Sequence, residues 1–272
     1  MALLEVKNLS IYDTQTENSI IEKISFTVER NSSFGIVGES GSGKSMMVKG
    51  ILGLMAPWMN VSGSVYFTGI DISEMKTKAL RQVRANNISL IMQDAMSAFD
   101  PLDTIGKQMI ETFSENLQVS KKEAKQLATS VLQRVGIKEA IHVLKKYPHQ
   151  LSGGMLQRCM IAIAVALKPD MIIADEPTTA LDAITQSDII KMFQKLQTEL
   201  GTTFIFISHD LAMIQQLTQE VMVMKNGKQV ESGKTSDVLR RPQHTYTQYL
   251  VNTRLTMTKS FEKVLRKDTD HA

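Results

Sequence analysis

The stretch Phe34-Gly35-Ile36-Val37-Gly38-Glu39-Ser40-Gly41-Ser42-Gly43-Lys44-Ser45 decides how this 272-residue chain is read. Phe34 to Val37 is a short apolar run expected to form a buried strand, and the residues from Ser45 to Met55 are expected to form a helix. Between them, Gly38 to Ser45 fits G-x-x-x-x-G-K-[ST], a loop whose glycines let successive backbone N–H groups point at phosphate oxygens. The helix N-terminus behind the loop adds a partial positive charge. Gly38, Glu39, Ser40, Gly41, Ser42 and Gly43 then form the cradle, Lys44 reaches the β/γ oxygens, and Ser45 offers a hydroxyl to Mg²⁺. The alternative is a flexible Gly/Ser surface loop, and the flanking strand and helix argue against it.

Outward from this loop, Met171-Ile172-Ile173-Ala174-Asp175-Glu176 is a second apolar strand, ending in two acids 131 residues after Lys44. In a parallel sheet such an end lies at the carboxyl edge, where ligands bind. Asp175 would join the Mg²⁺ shell and Glu176 would polarise an attacking water. Capping of the next helix is the plainer role for these acids. Leu151-Ser152-Gly153-Gly154 precedes another helical run, from Met155 to Leu167, and makes a second glycine-rich helix start. N-capping accounts for Ser152 but not for paired glycines. His209 follows the apolar strand Thr203 to Ile207 and so falls at the same sheet edge.

The fold class follows as α/β, with a P-loop NTPase core around a mainly parallel sheet. Alternation in Leu4 to Leu9 and in Ile24 to Val28 predicts half-buried strands of an antiparallel layer. Ser64 to Phe67 and Ile88 to Met92 are further strands, the latter running into Gln93. From Ile105 to Leu167 apolar residues recur every three or four positions, which predicts a helical subdomain inserted over about 103–168. A helix from Ile184 to Leu200 between two apolar strands predicts a βαβ crossover, and Asn226-Gly227 turns a hairpin. The expectation is one domain over residues 1–250 and a charged, fraying surface helix within a 251–272 tail.

Composition bounds the rest. Thirty-one Lys and Arg against 28 Asp and Glu leave +3, too small an excess to suggest nucleic acid as a partner. Cys159 is the single cysteine, which excludes an internal disulfide and an iron–sulfur centre built by this chain. The longest apolar run, Cys159 to Leu167, is about half of what a membrane-spanning helix needs. The start lacks the charged and apolar regions of a secretory signal, so a cytoplasmic protein is expected. His142, His149, His244 and His271 have no partners at metal-ligand spacing, and the 17 methionines fit core filling.

Taken together, these motifs resemble the ATP-binding subunit of an ABC transporter over Leu4 to about Leu250. Gly38 to Ser45 resembles the Walker A loop, Gln93 the Q-loop, Leu151 to Met155 the signature, Met171 to Glu176 Walker B, Ala180-Leu181-Asp182 the D-loop, and His209 the H-loop. The resemblance implies hydrolysis of ATP with Mg²⁺ held by Ser45, Gln93 and Asp175. Lys44, Glu176 and His209 would be catalytic, His209 at the γ-phosphate. It also implies a head-to-tail pair, with ATP between one Walker A loop and the partner's Ser152, Gly153 and Gly154.

Tyr147 to Met155 and Pro242 to Thr247 are similar to the peptide and nickel importer group. The shorter chain without a cysteine cluster points within it to nickel or metal-chelate import, with oligopeptide or dipeptide import as the alternative. Implied partners are two permease subunits, a second related ATPase subunit and an extracytoplasmic solute-binding protein, with the chain on the inner face of the cell membrane. Met155 and Thr245 replace the family's frequent Gln and Pro. The adenine-stacking aromatic is expected at the position of Asp13, which leaves Tyr12, one residue earlier, as the candidate platform. Two competing readings are a soluble ABC ATPase acting on DNA or ribosomes and a non-hydrolysing regulatory subunit. The first is disfavoured by a single cassette with only 59 residues from Gln93 to Ser152, and the second by intact Glu176 and His209.

Overall fold

The computed structural model of the chain describes residues 1–179 and 181–253; the tail helix expected from Lys259 lies outside them. Strands β1 (Ala2–Asp13) and β2 (Asn18–Glu29) pair antiparallel, and both are longer than their alternating cores suggested. Strand β3 (Ser33–Val37) is buried at every position, as its unbroken apolar reading requires. Helix α1 (Lys44–Ile51) stops four residues before the expected Met55. It closes in a Schellman motif, with Leu54 N–H donating to Lys49 C=O and Gly53 N–H to Gly50 C=O. Strands β4 (Met59–Phe67) and β5 (Ile70–Asp71) complete a four-stranded sheet in the order β2-β1-β4-β5.

Helix α2 (Thr77–Asn87) was not expected from sequence: none of its residues is buried, and only Leu80 and Val83 pack partly against the core, too short a stripe to announce it. Strand β6 (Ile88–Ile91) then leads to α3 (Ile105–Leu117), α4 (Lys121–Arg134), the short α5 (Ala140–Val143) and α6 (Gly153–Ala166). Helix α4 opens with a capping box, Ser120 and Glu123 satisfying each other's backbone N–H groups. Helix α6 packs on α4 on one side and on β6 on the other. That double contact explains its apolar run.

Strand β7 (Met171–Asp175), helix α7 (Ala183–Leu200) and strand β8 (Thr203–Ser208) form the expected crossover. Helix α8 (Leu211–Leu217), the hairpin β9 (Glu220–Lys225) and β10 (Lys228–Lys234), and α9 (Thr235–Arg240) follow. Among the described residues a final helical stretch covers 245–253. The second sheet has six strands in the order β10-β9-β3-β8-β7-β6, parallel except for β10.

Side chains alternate across this sheet between two cores. Ile36, Ile173, Ile205 and Ile207 face the antiparallel sheet and α1, whereas Val37, Ile172, Phe204 and Phe206 face the helical side. The inner strands β3, β7 and β8 are therefore apolar on both faces and polar only where they end.

Candidate active site

Strand order brings the motifs together. Strand β8 lies between β3 and β7, with Val37 level with Ser208 and Asp175 level with Ile207. Gly38, Glu176 and His209 thus leave three adjacent parallel strands at one carboxyl edge. The edge opens into a cleft of about 500 Å³. Of the residues expected there, Ser40, Gly41, Gly43, Lys44, Ser45, Gln93, Glu176 and His209 line it, joined by Ile20, Met46 and Thr179.

Gly43 caps α1 with φ +99°, a left-handed conformation that an L side chain resists, and a Cβ there would press on Ile21 at 2.6 Å. The loop therefore turns tightly enough to present the free N–H groups of the first helical turn to the cleft. The hairpin turn braces it, Gly227 N–H donating to Ser42 C=O at 3.0 Å. Lys44 is 6% exposed, and its Nζ donates to Gly38 C=O at 2.7 Å and Glu39 C=O at 2.9 Å. Burial lowers its pKa, and the nearby Glu176 and Asp175 carboxylates oppose that shift.

Burial raises the pKa of Asp175, further helped by Glu176, while a hydrogen bond with Ser45 and the cations Lys44 and Lys49 pull the other way. Its Oδ1 is buried with no hydrogen-bond partner. An unpaired carboxylate oxygen beside a serine hydroxyl is the donor set a hard, oxygen-seeking cation such as Mg²⁺ requires. Gln93 is exposed just beyond β6, on the cleft wall.

Glu176 is 8% exposed and sits at φ +48°, so its backbone turns sharply out of β7, with its N–H donating to Ile207 C=O at 2.8 Å. Three groups orient its carboxylate. His209 N–H donates to Oε1 at 3.1 Å, Thr179 Oγ1 donates to Oε2 at 2.9 Å, and His209 Nδ1 lies 2.8 Å from Oε2. A carboxylate only accepts, so Nδ1 carries the proton and Nε2 is the free nitrogen. The His209 side chain is 60% exposed.

Ser152, Gly153, Gly154 and Tyr12 are not among the residues lining this cleft. Ser152 does cap α6, accepting from Met155 N–H at 3.3 Å. The two glycines differ. A Cβ on Gly154 would meet Thr185 Cγ2 at 2.6 Å, and Thr185 is fixed by donating to Asp182 Oδ2. Gly153 has only Leu181 at 3.7 Å and lies exposed beside Ser152. Gly154 is explained by packing; Ser152 and Gly153 form a free polar edge. Tyr12 is exposed on β1, opposite Ser19 and Asn60. Asp13 turns inward and caps the hairpin, accepting from Gln15 and Thr16 N–H groups at 2.8 and 3.3 Å.

Thr179 and Ile20 were not singled out from sequence. Thr179 follows Glu176 by three residues, a one-turn spacing that could have suggested it; Ile20 carried no signal, because only the packing of β2 on the loop brings it there.

A family model described as ABC transporter matches residues 21–179. The metal-staphylopine import system ATP-binding protein CntD of Staphylococcus aureus is 42% identical over 268 residues, covering 98% of this chain and 99% of the relative. The dipeptide transport ATP-binding protein DppD of Haemophilus influenzae is 41% identical, over 92% of this chain and 77% of the relative. Among solved structures, a dimeric ATP-binding cassette, MJ0796, in a post-hydrolysis state bound to ADP and Pi, is similar with a TM-score of 0.76 and 28% identity, over 85% of this chain and 98% of that one. CbiO1 from Clostridium perfringens, part of the transporter complex CbiONQ, gives 0.75 and 26%, over 96% and 99%. With the strand order, the phosphate loop and these likenesses in agreement, the chain belongs to the ABC transporter family as an ATP-binding, ATP-hydrolysing subunit.

Proposed function

We propose that this chain hydrolyses ATP in the cleft at the β3-β8-β7 edge to drive import of a metal-chelate complex, nickel chelates included. The observation that carries the site is the placing of Lys44, Ser45, Glu176 and His209 around one cleft, with Asp175 behind it. The free N–H groups of α1 take phosphate oxygens, and Lys44 exchanges two carbonyls for them. Ser45 and Asp175, with Gln93 across the cleft, would hold Mg²⁺. When bound, the ion neutralises charge on the phosphate oxygens.

Glu176, held by its three donors, accepts a proton from water as the water oxygen bonds to the γ-phosphorus. The bond to the bridging oxygen breaks and ADP leaves. His209 orients that water from the γ-phosphate side. With Nδ1 turned to Glu176, it would meet the γ-phosphate through Nε2. Exposed Ser152 and Gly153 would close over the nucleotide of a second, related ATPase subunit, and that subunit would do the same in return.

The cargo reading rests on the two-way coverage and 42% identity to the metal-staphylopine subunit. No helix among the described residues is long and apolar enough to cross a membrane, so passage would be supplied by two permease subunits at the inner face of the membrane, fed by a solute-binding protein. Dipeptide import is the second reading, favoured by 39–41% identity to dipeptide ATPases. Reconstitution with the permeases and second ATPase decides between them: binding protein loaded with a nickel chelate should stimulate ATP hydrolysis. Stimulation by dipeptide alone would reverse the assignment.

A further inference from the structure

The phosphate loop is also gripped by the segment that follows α9, which plays no part in the chemistry above. Glu231 in β10 accepts from the N–H groups of Gln243 at 2.8 Å and His244 at 3.0 Å. His244 Nδ1 in turn accepts from Tyr246 N–H at 3.1 Å. This chain of bonds delivers Tyr246, 4% exposed, to the back of the loop. There its hydroxyl accepts from Glu39 N–H at 3.1 Å and donates to Glu39 Oε2 at 3.2 Å. Lys225 Nζ stands 4.6 Å from the centre of its ring.

Glu39 is thereby held from two directions. Its C=O accepts from Lys44 Nζ and its N–H is taken by Tyr246. Lys44 has to let go when phosphate arrives; Tyr246 does not. A buried phenol hydroxyl needs a hydrogen-bond partner, and here both bonds fall on the second residue of the phosphate loop, 207 positions away in sequence.

We propose that Tyr246 is a positioning residue for nucleotide binding: it keeps the Gly38–Glu39 end of the loop in place while Lys44 transfers to the phosphates. This makes the C-terminal segment a support behind the nucleotide site. The inference deepens the reading of residues 38–45 as the ATP cradle and rests on it.

Tyr246→Phe isolates the effect, since it keeps the ring and its contact with Lys225 and deletes only the hydroxyl. Glu39 is exposed, so water can take over its freed N–H and the fold loses little. In the assembled transporter the KM for ATP should rise roughly threefold to tenfold, the effect of losing the hydroxyl's bonds to Glu39, with kcat within about twofold. Hydrogen exchange on the full chain should quicken in the peptide spanning 38–45 and nowhere else. Tyr246→Leu, which also loses ring packing, should add a lower melting point. An unchanged KM in the Phe variant overturns the proposal. So does a raised KM accompanied by a lower melting point and faster exchange throughout, which marks plain packing. Failure of the unaltered chain to bind MgATP would instead remove the site reading beneath it.

Discussion

His209 holds Glu176 twice, through its backbone N–H to Oε1 at 3.1 Å and through Nδ1 to Oε2 at 2.8 Å. The backbone bond survives any substitution at 209 except proline, so the two contacts can be separated by mutation. Glu176→Gln leaves one oxygen in place of two, keeps the side chain's size and removes the proton acceptor. Turnover should fall about 10²- to 10⁴-fold, while MgATP affinity and ATP-dependent pairing with the second ATPase persist. A phosphate-release assay and a nucleotide titration on one preparation check this; weakened affinity with no stabilised pair would place Glu176 in metal binding. His209→Ala should cut turnover without lowering the melting point, because the lost ring is mostly exposed.

Asp175 carries a cost in the empty chain. Its folded pKa lies above the unfolded value because of burial. The folded form thus binds more protons, and this group's contribution to stability falls as pH rises from the unfolded pKa towards the folded one. Above that window the buried charge is a standing penalty. Asp175→Asn should accordingly raise the melting point of the nucleotide-free chain at neutral pH by about 2–4 °C, or roughly 1 kcal/mol, and abolish the further rise given by MgATP. Calorimetry with and without MgATP reads both; a lower melting point without nucleotide would contradict the assignment.

Lys44→Ala should reduce hydrolysis at least about 100-fold, since it deletes the cation nearest the β/γ oxygens. The loop stays braced by Gly227 N–H on Ser42 C=O, so the fold should persist by circular dichroism. Wild-type turnover in this variant would show that the loop is not the catalytic cradle.

Ser152→Arg should leave ATP affinity of the isolated chain intact and stop hydrolysis in the assembled complex. The α6 cap would be lost, at about 1 kcal/mol, and a bulky cation would fill the exposed polar edge. Equilibrium binding on the separate chain and turnover of the complex are the two measurements. Loss of affinity in the isolated chain would place Ser152 in its own subunit's site.

Much of this protein was legible in the order of its residues. A phosphate loop is recognised by a local strand, turn and helix start, so Phe34 to Ser45 carried its own context. Unbroken apolar runs at 34–37, 171–174 and 204–207 marked strands buried on both faces. Local spacing could not say which strands are neighbours, because a period of two reports a face and not a partner. Only packing put β8 between β3 and β7, and so His209 onto Glu176. The same limit hid α2, whose surface helix has no buried stripe, and set the end of α1 at a hydrogen-bonded cap. Packing likewise divided the work of adjacent residues, giving Asp13 to the hairpin turn and leaving Tyr12 outside, and separating crowded Gly154 from open Gly153. The contact of Tyr246 with Glu39 joins residues 207 positions apart. No local pattern encodes a bond across that span; it exists because the hairpin and the C-terminal segment fold back onto the loop.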